Sequence, residues 1–322
     1  MIKALKIILV LFLLCAGGCA LAQNTYPAKP IKFIVPFGPG GVTDVLARLL
    51  AVEIQKDWGQ PVVVLNMAGA TGTIGSAAVA KAAPDGYTLL ITANVHTINP
   101  AMRKEMPFDT LKDFTPITLL TTAPNMLVVR ADSPIKSVAD YVAAALAKPG
   151  EITYATAGVG TAPHIAGEQF SQITGTRYNL IPYSSSIQSI QSVVAGDTVS
   201  SWSAVNAALP LIKAGRIRAL AVASDARSVF APEVPTFAEL GVKGMRSELW
   251  LGALAPANLP APIAAKLSEK FVQLIHRTDM KERILSLGSE PLGIGMDKFG
   301  DQIREEIRMY IDVVRTAGIK PE

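Results

Sequence analysis

Ile34-Val35-Pro36-Phe37-Gly38-Pro39-Gly40-Gly41-Val42-Thr43-Asp44 passes from a short apolar run into a Gly/Pro-rich turn and then into an amphipathic pattern. Leu46, Leu49, Leu50 and Ile54 continue one apolar stripe at helical spacing, and Gly59-Gln60-Pro61 punctuates its end. The stretch predicts a strand, a turn and a helix. Two readings fit the turn. Its glycines let successive N–H groups line up beside the positive end of the following helix, which makes an anion site. A tight strand-to-helix turn that needs positive φ angles has the same composition. The stretch is not a phosphate loop, which needs Gly-Lys-Ser/Thr, nor the dinucleotide fingerprint.

The same unit recurs outward along the chain. Ile31–Val35, Val62–Leu65, Leu89–Thr92, Met126–Val129, Ile152–Ala155 and Ile217–Ala223 are brief apolar runs, as expected of strands covered on both faces. Helical stripes lie between and after them: Ile263, Leu267, Phe271 and Leu274, then Phe299, Ile303, Ile307, Ile311 and Val314. Asp297 is the expected N-cap of the last and Gly318 lies beyond its end. Repeated βα units predict an α/β fold with mostly parallel sheets. A second turn, Gly69-Ala70-Thr71-Gly72-Thr73-Ile74-Gly75, misses the dinucleotide pattern, and no acid ends a strand about 20 residues later. A third, Ala157-Gly158-Val159-Gly160-Thr161-Ala162-Pro163-His164, has Thr161 as a natural N-cap and Pro163 in the first turn. If it faces the first turn, two helix N-termini point into one cleft and suit a ligand with carboxylates at both ends, or a carboxylate with polar groups.

The N-terminus reads as an export signal. Lys3 and Lys6 precede the apolar run Ile7–Cys15, and Ala20-Leu21-Ala22 supplies a small-x-small cleavage pattern. The run is too short for a spanning helix, which needs about 20 residues. Ala16-Gly17-Gly18-Cys19 offers a rival reading, a lipoprotein box acylated at Cys19. Both cysteines, Cys15 and Cys19, fall in this segment, so cleavage after Ala22 leaves no thiol for catalysis or metal binding. The formal net charge is +4, with basic residues scattered rather than clustered as nucleic-acid binding requires. The three histidines, His96, His164 and His276, lack metal-ligand spacing. For His96 and His164 a structural hydrogen bond is favoured over ligand contact. No G-x-S-x-G elbow occurs and no base is identifiable beside Ser184-Ser185-Ser186. No catalytic set, cofactor motif or metal set emerges, and the expectation is a protein that is not an enzyme.

Tyr26-Pro27-Ala28-Lys29-Pro30-Ile31, the quoted turn with Asp44 and Ala47-Arg48, and Pro84-Asp85-Gly86-Tyr87-Thr88-Leu89 closely resemble the Bug-type periplasmic solute-binding receptors of tripartite tricarboxylate transporters. Ala208-Leu209-Pro210, Ile212-Lys213-Ala214-Gly215, Arg218-Ala219-Leu220-Ala221-Val222, Trp250 and Ala255-Pro256 extend the resemblance over essentially the whole chain after the signal. It implies a two-lobed, Venus-flytrap periplasmic binding protein of type II with two interlobe crossings. These are expected near Ala123–Asn125 and Ser224–Asp225. Residues 1–22 would be the signal peptide, 23–124 plus 225–322 a discontinuous first lobe, and 125–224 the second. The resemblance carries over as ligand contacts Phe37, Gly40 and Gly41, Thr71 and Gly72, Asn94, then Gly160, Thr161, His164 and Tyr183. Ser203 holds a place where members often carry an acid that meets the amino group of an amino acid. That departure implies a ligand without a cationic centre, and Trp202 with the serines implies a polar pocket with an aromatic wall. A small carboxylate ligand, a periplasmic location, a monomer, and either the membrane subunits of a transporter or a sensor protein as partner complete the expectation.

Overall fold

The computed structural model describes residues 26–321; the expected signal segment, its expected cleavage site and Cys19 lie outside them. Ten strands form one continuous sheet: β1 (Ile31–Val35), β2 (Val62–Asn66), β3 (Thr88–Ala93), β4 (Phe114–Arg130), β5 (Thr153–Thr156), β6 (Asn179–Pro182), β7 (Ser200–Ala204), β8 (Ile217–Val222), β9 (Glu248–Pro256) and β10 (Glu290–Gly295). The main order is β2-β1-β3-β9-β4-β7-β5-β6, with β8 and β10 also on β4. The outer pairs β1–β2, β1–β3, β5–β6 and β5–β7 are parallel. Every antiparallel pair involves β4 or β9.

β4 joins the two lobes. It pairs with β9 as far as Pro124↔Glu248, then with β7 from Asn125↔Ala204 onward. At the changeover three backbone bonds tie the chain crossings together. Asn125 N–H donates to the Ser247 carbonyl at 2.9 Å, Ala223 N–H to the Asn125 carbonyl at 2.8 Å, and Ser247 N–H to the Ala223 carbonyl at 2.8 Å. Asn125 Nδ2 adds a bond to Ser247 Oγ at 2.9 Å.

Strand alternation sorts side chains into layers on each side of this crossing. Ile31, Phe33 and Val35 face the helices Val42–Trp58 and Ala261–His276, meeting Leu46, Leu50, Leu267 and Phe271. Ile34, Leu90, Trp250 and Leu254 face the other way, onto Phe299, Ile303 and Ile307 of the helix Met296–Thr316. In the second lobe Leu127, Tyr154, Phe170, Trp202 and Phe237 pack on one face. Met126, Val128, Ile190, Val193 and Ala208 pack on the other. A fifth cluster spans the lobes, where Ile98 and Ala101 meet Ala162, Ile165, Tyr310 and Val314.

Several expectations shift. Ala231 and Val234 pack with Val222, and Phe237 and Met245 with Trp202, so the chain stays against the second-lobe core beyond Ser224–Asp225 and enters β9 at Glu248. In edge strand β2, Val62 and Val64 pack against the core while Val63 and Leu65, on the opposite face, are exposed. Ile311 is also exposed, because Tyr310 keeps the inward face at 3.6-residue periodicity. The last helix has Gly295 as its N-cap, with Asp297 inside the first turn.

Trp202 is not a wall of the cleft. It is 1% exposed, with ring centroids 5.7 Å from Phe170 and 5.3 Å from Phe237. Trp202→Ala is expected to cost ~3–5 kcal/mol, as truncation of a buried aromatic does. Urea unfolding checks this, and an unchanged midpoint would contradict the core placement.

His96 and His164 are both buried. His96 sits among Phe108 and Phe114, with neither ring nitrogen partnered by the described residues. Burial pushes each histidine down from 6.5 to about 4. The unfolded chain therefore takes up more protons between these values, so stability is expected to fall as pH drops from 6.5 toward 4. Urea midpoints across this range should decline less steeply in an H96L/H164Q variant; an equally steep decline would place the acid sensitivity elsewhere.

Candidate ligand-binding site

The loops after β1, β2, β5 and β6 lie at the C-terminal ends of parallel strands, where open α/β sheets leave a crevice. After β1, Gly40 takes φ 84° and its N–H donates to Asp44 Oδ2 at 2.9 Å. Asp44 is 3% exposed and also accepts from Arg48 Nε at 3.1 Å and Asn66 Nδ2 at 2.9 Å. Asn66 donates to the Phe37 carbonyl as well, at 3.1 Å. Burial works to raise the Asp44 pKa, but the bonds from Arg48, Gly40 and Asn66 outweigh it and hold the carboxyl below its usual range. The carboxylate thus pins the loop to the end of β2. Gly40 has its amide committed to that brace. The amides of Val42 and Thr43, in the first helical turn, have no intrahelical acceptor and follow an N-cap, Gly41, that supplies no side-chain bond.

The second loop holds three successive left-handed residues, Ala70 (φ 46°), Thr71 (φ 53°) and Gly72 (φ 86°). For a β-branched residue such as Thr71 this conformation is strained, and strain of this kind clusters at functional sites. Neighbours hold it. Asn99 Nδ2 donates to the Thr71 carbonyl at 3.0 Å. Arg103 Nη2 donates to the Ala70 carbonyl at 3.0 Å and to Thr71 Oγ1 at 3.2 Å. A Cβ on Gly72 would stand 3.5 Å from the Phe37 ring, so the first two loops are adjacent.

In the second lobe, Gly158 (φ 123°) and Gly160 (φ 77°) shape the turn after β5. His164 Nδ1 accepts the Gly160 N–H at 3.0 Å, which a neutral imidazole can do and an imidazolium cannot. Thr161 stands at the N-cap but makes no capping bond; its hydroxyl donates to the Gly158 carbonyl at 2.7 Å instead. Tyr183 N–H donates to the Thr156 carbonyl at 3.0 Å, and its own carbonyl lies 3.6 Å from where a Gly158 Cβ would stand. Ser185 caps the neighbouring helix Ser186–Ala195.

The structure therefore groups Phe37, Gly40, Gly41, Thr71 and Gly72 on one lobe, and Gly160, Thr161, His164 and Tyr183 on the other. One member of each group, Thr71 and Gly160, lines a shared cavity of about 140 Å³, together with Asn99, Met102, Arg103 and Val159 among others. Two expected residues stand apart. Asn94 is 2% exposed and donates to the Glu248 carbonyl at 2.7 Å, tying the helix Val95–Met102 to β9. Ser203 is fully buried and shares a hydroxyl bond of 2.8 Å with Ser201, which donates to Ser189 Oγ. Neither presents a side chain to the cleft. Asn99 and Arg103 were not anticipated, because their link to Thr71 spans 28 and 32 residues and no local motif announces it.

A separate cavity of about 380 Å³ also spans the lobes, between Gln169, Asp225 and Arg246 on one side and Gln302 and Glu306 on the other. Arg246 donates to Glu248 Oε1 and Gln302 Oε1, and buried Glu306 accepts from Trp250, Thr97 and Gln302. This network joins the last helix to the second crossing. Among the described residues no group of three or more His, Cys, Asp or Glu side chains could hold a metal ion, and no helix is long and apolar enough to cross a membrane.

A family model for the tripartite tricarboxylate transporter family receptor matches residues 46–318. Protein BugT of Bordetella pertussis is 35% identical over 313 residues, covering 96% of each chain. Among solved structures, a TctC solute binding protein from Polaromonas without ligand superposes with a TM-score of 0.85 at 26% identity, covering 91% of this chain and all of that one. R. palustris Rpa4515 with adipate gives 0.72 at 32% identity, covering 92% of this chain and all of that one. With a matching family model and near-complete coverage, the chain belongs to the tripartite tricarboxylate transporter receptor family, whose members are periplasmic binding receptors and not enzymes.

Proposed function

We propose that the protein captures a small carboxylated metabolite between its lobes in the periplasm and presents the closed form to the membrane subunits of a tripartite tricarboxylate-type transporter. The observation that carries this reading is the meeting of Thr71 and Gly160, from opposite lobes, at one cavity. A ligand touching both sides stabilises the closed arrangement by its differential affinity for it. The first-turn amides after Gly41, which lack intrahelical acceptors, and the Gly160–Thr161 turn favour an anion by dipole and hydrogen bonding. Adipate on R. palustris Rpa4515 supports the ligand class.

The better superposition on the ligand-free Polaromonas protein than on the more similar adipate-bound one supports an open arrangement here. In this reading residues 26–124 and 248–321 form the first lobe and 125–247 the second, hinged at Asn125 and Ser247. The site is Phe37, Gly40, Gly41, Thr71 and Gly72 facing Gly160, Thr161 and Tyr183, with His164 positioning Gly160. Buried Ser203 takes no direct part, so the reading makes no distinction against amino acids through that residue.

A thermal-shift screen of refolded protein against C4–C6 di- and tricarboxylates, amino acids and aromatic acids tests the reading. A ligand at 100 times its dissociation constant adds about 2.7 kcal/mol of stability, a visible rise in midpoint. At least one carboxylate is expected to produce it. No shift with any acid would overturn the assignment.

A further inference from the structure

We propose that Arg103 is the specificity-determining residue of this site, selecting an acid that carries a second anionic group. The inference rests on the capture reading and adds to it a named cation with a task. Arg103 lies at the end of the helix Val95–Met102 and is half-buried at the interlobe cavity. It is the one charged side chain among the residues lining that cavity; the rest of the wall is Thr, Val, Ile, Asn, Met and Gly.

A guanidinium has five N–H donors in a rigid fork. Among the described residues its partners are the Ala70 carbonyl and Thr71 Oγ1, both met through Nη2, and neither is charged. The other cation near the loops, Arg48, is already paired with Asp44, and His164 is held neutral by burial. Among the described residues lining this cavity, Arg103 is thus the cation left for a ligand, on a wall that otherwise offers only neutral polar and apolar contacts.

The cavity is about 140 Å³, smaller than the roughly 300–1,000 Å³ of drug-sized ligand pockets and of a size for a short-chain acid or one end of a longer one. Gly160 forms the facing wall: a Cβ there would stand 3.0 Å from Met102 Cε, so the second-lobe turn already lies against the first lobe at this cavity. A carboxylate seated there pairs with the fork of Arg103 from one side while the Gly158–Thr161 turn shuts out water from the other. Arg103 also steadies the left-handed Ala70–Thr71 turn, so a positional role and a selective role must be separated by experiment.

Titration calorimetry with succinate, glutarate and adipate, and with the monomethyl ester of each, makes that separation. Each pair shares a chain length and differs by one charge. The wild-type protein is expected to bind its preferred diacid at least about tenfold more tightly than the ester, a difference of about 1.4 kcal/mol. Arg103→Gln should bring the two within about threefold by weakening the diacid, and Arg103→Lys should restore part of the preference, since it keeps the charge without the fork. A variant that weakens diacid and ester equally would mark Arg103 as a brace for the turn only and overturn the proposal, as would a wild-type protein that binds both alike. A wild-type protein that binds none of the six would also overturn the proposal, while the capture reading on which it rests falls only if the wider acid screen is silent as well.

Discussion

Three backbone hydrogen bonds at Asn125, Ala223 and Ser247 hold together the two places where the chain passes between lobes. Because β4 is a single 17-residue strand, its first part is committed to β9 and its second to β7 and β8. The lobes are therefore joined by paired extended backbone and not by a flexible tether. That pairing fixes where the Gly-rich loops go, because parallel strands on either side of β4 and β9 end toward a common crevice.

At those strand ends the sequence supplies glycine for backbone reach and polar side chains to fix the result. The glycine amides themselves are partly committed. Gly40 gives its N–H to Asp44 and Gly160 gives its N–H to His164. Such bonds hold each turn in one shape before a ligand arrives, which lowers the ordering cost of binding. What remains for an anion is the set of first-turn amides at the following helices. The strained Ala70–Thr71 segment extends the same logic. Its conformation is unfavourable alone and is over-determined by Asn99 and Arg103.

Reading the chain as sequence recovers the β1–turn–helix unit because every signal there is local: an apolar run, then Gly/Pro, then a helical stripe. The parallel-strand loops follow from the same logic. β6, β7, β9 and β10 escape it. β7 is serine-rich, Ser200-Ser201-Trp202-Ser203, and owes its place to pairing with β4. β9 is read through Trp250 and Ala255-Pro256 without being recognised as the return crossing, because the Ala231–Met245 segment that delays it packs through contacts distant in sequence. Asn94 and Ser203 sit near the ends of cleft-facing strands, but a strand end has two faces, and the side-chain partners at Glu248 and Ser201 decide which one is taken. Arg103 carries no motif; only folding brings it to Thr71.

The central claim is that an acid is held by both lobes at once and closes them about the Asn125–Ser247 crossing. Small-angle scattering of the protein, alone and saturated with an acid whose binding calorimetry has established, tests it most directly. The account predicts a smaller radius of gyration and maximum dimension in the bound state. Identical scattering profiles with the acid demonstrably bound would contradict it, placing the ligand on one lobe alone.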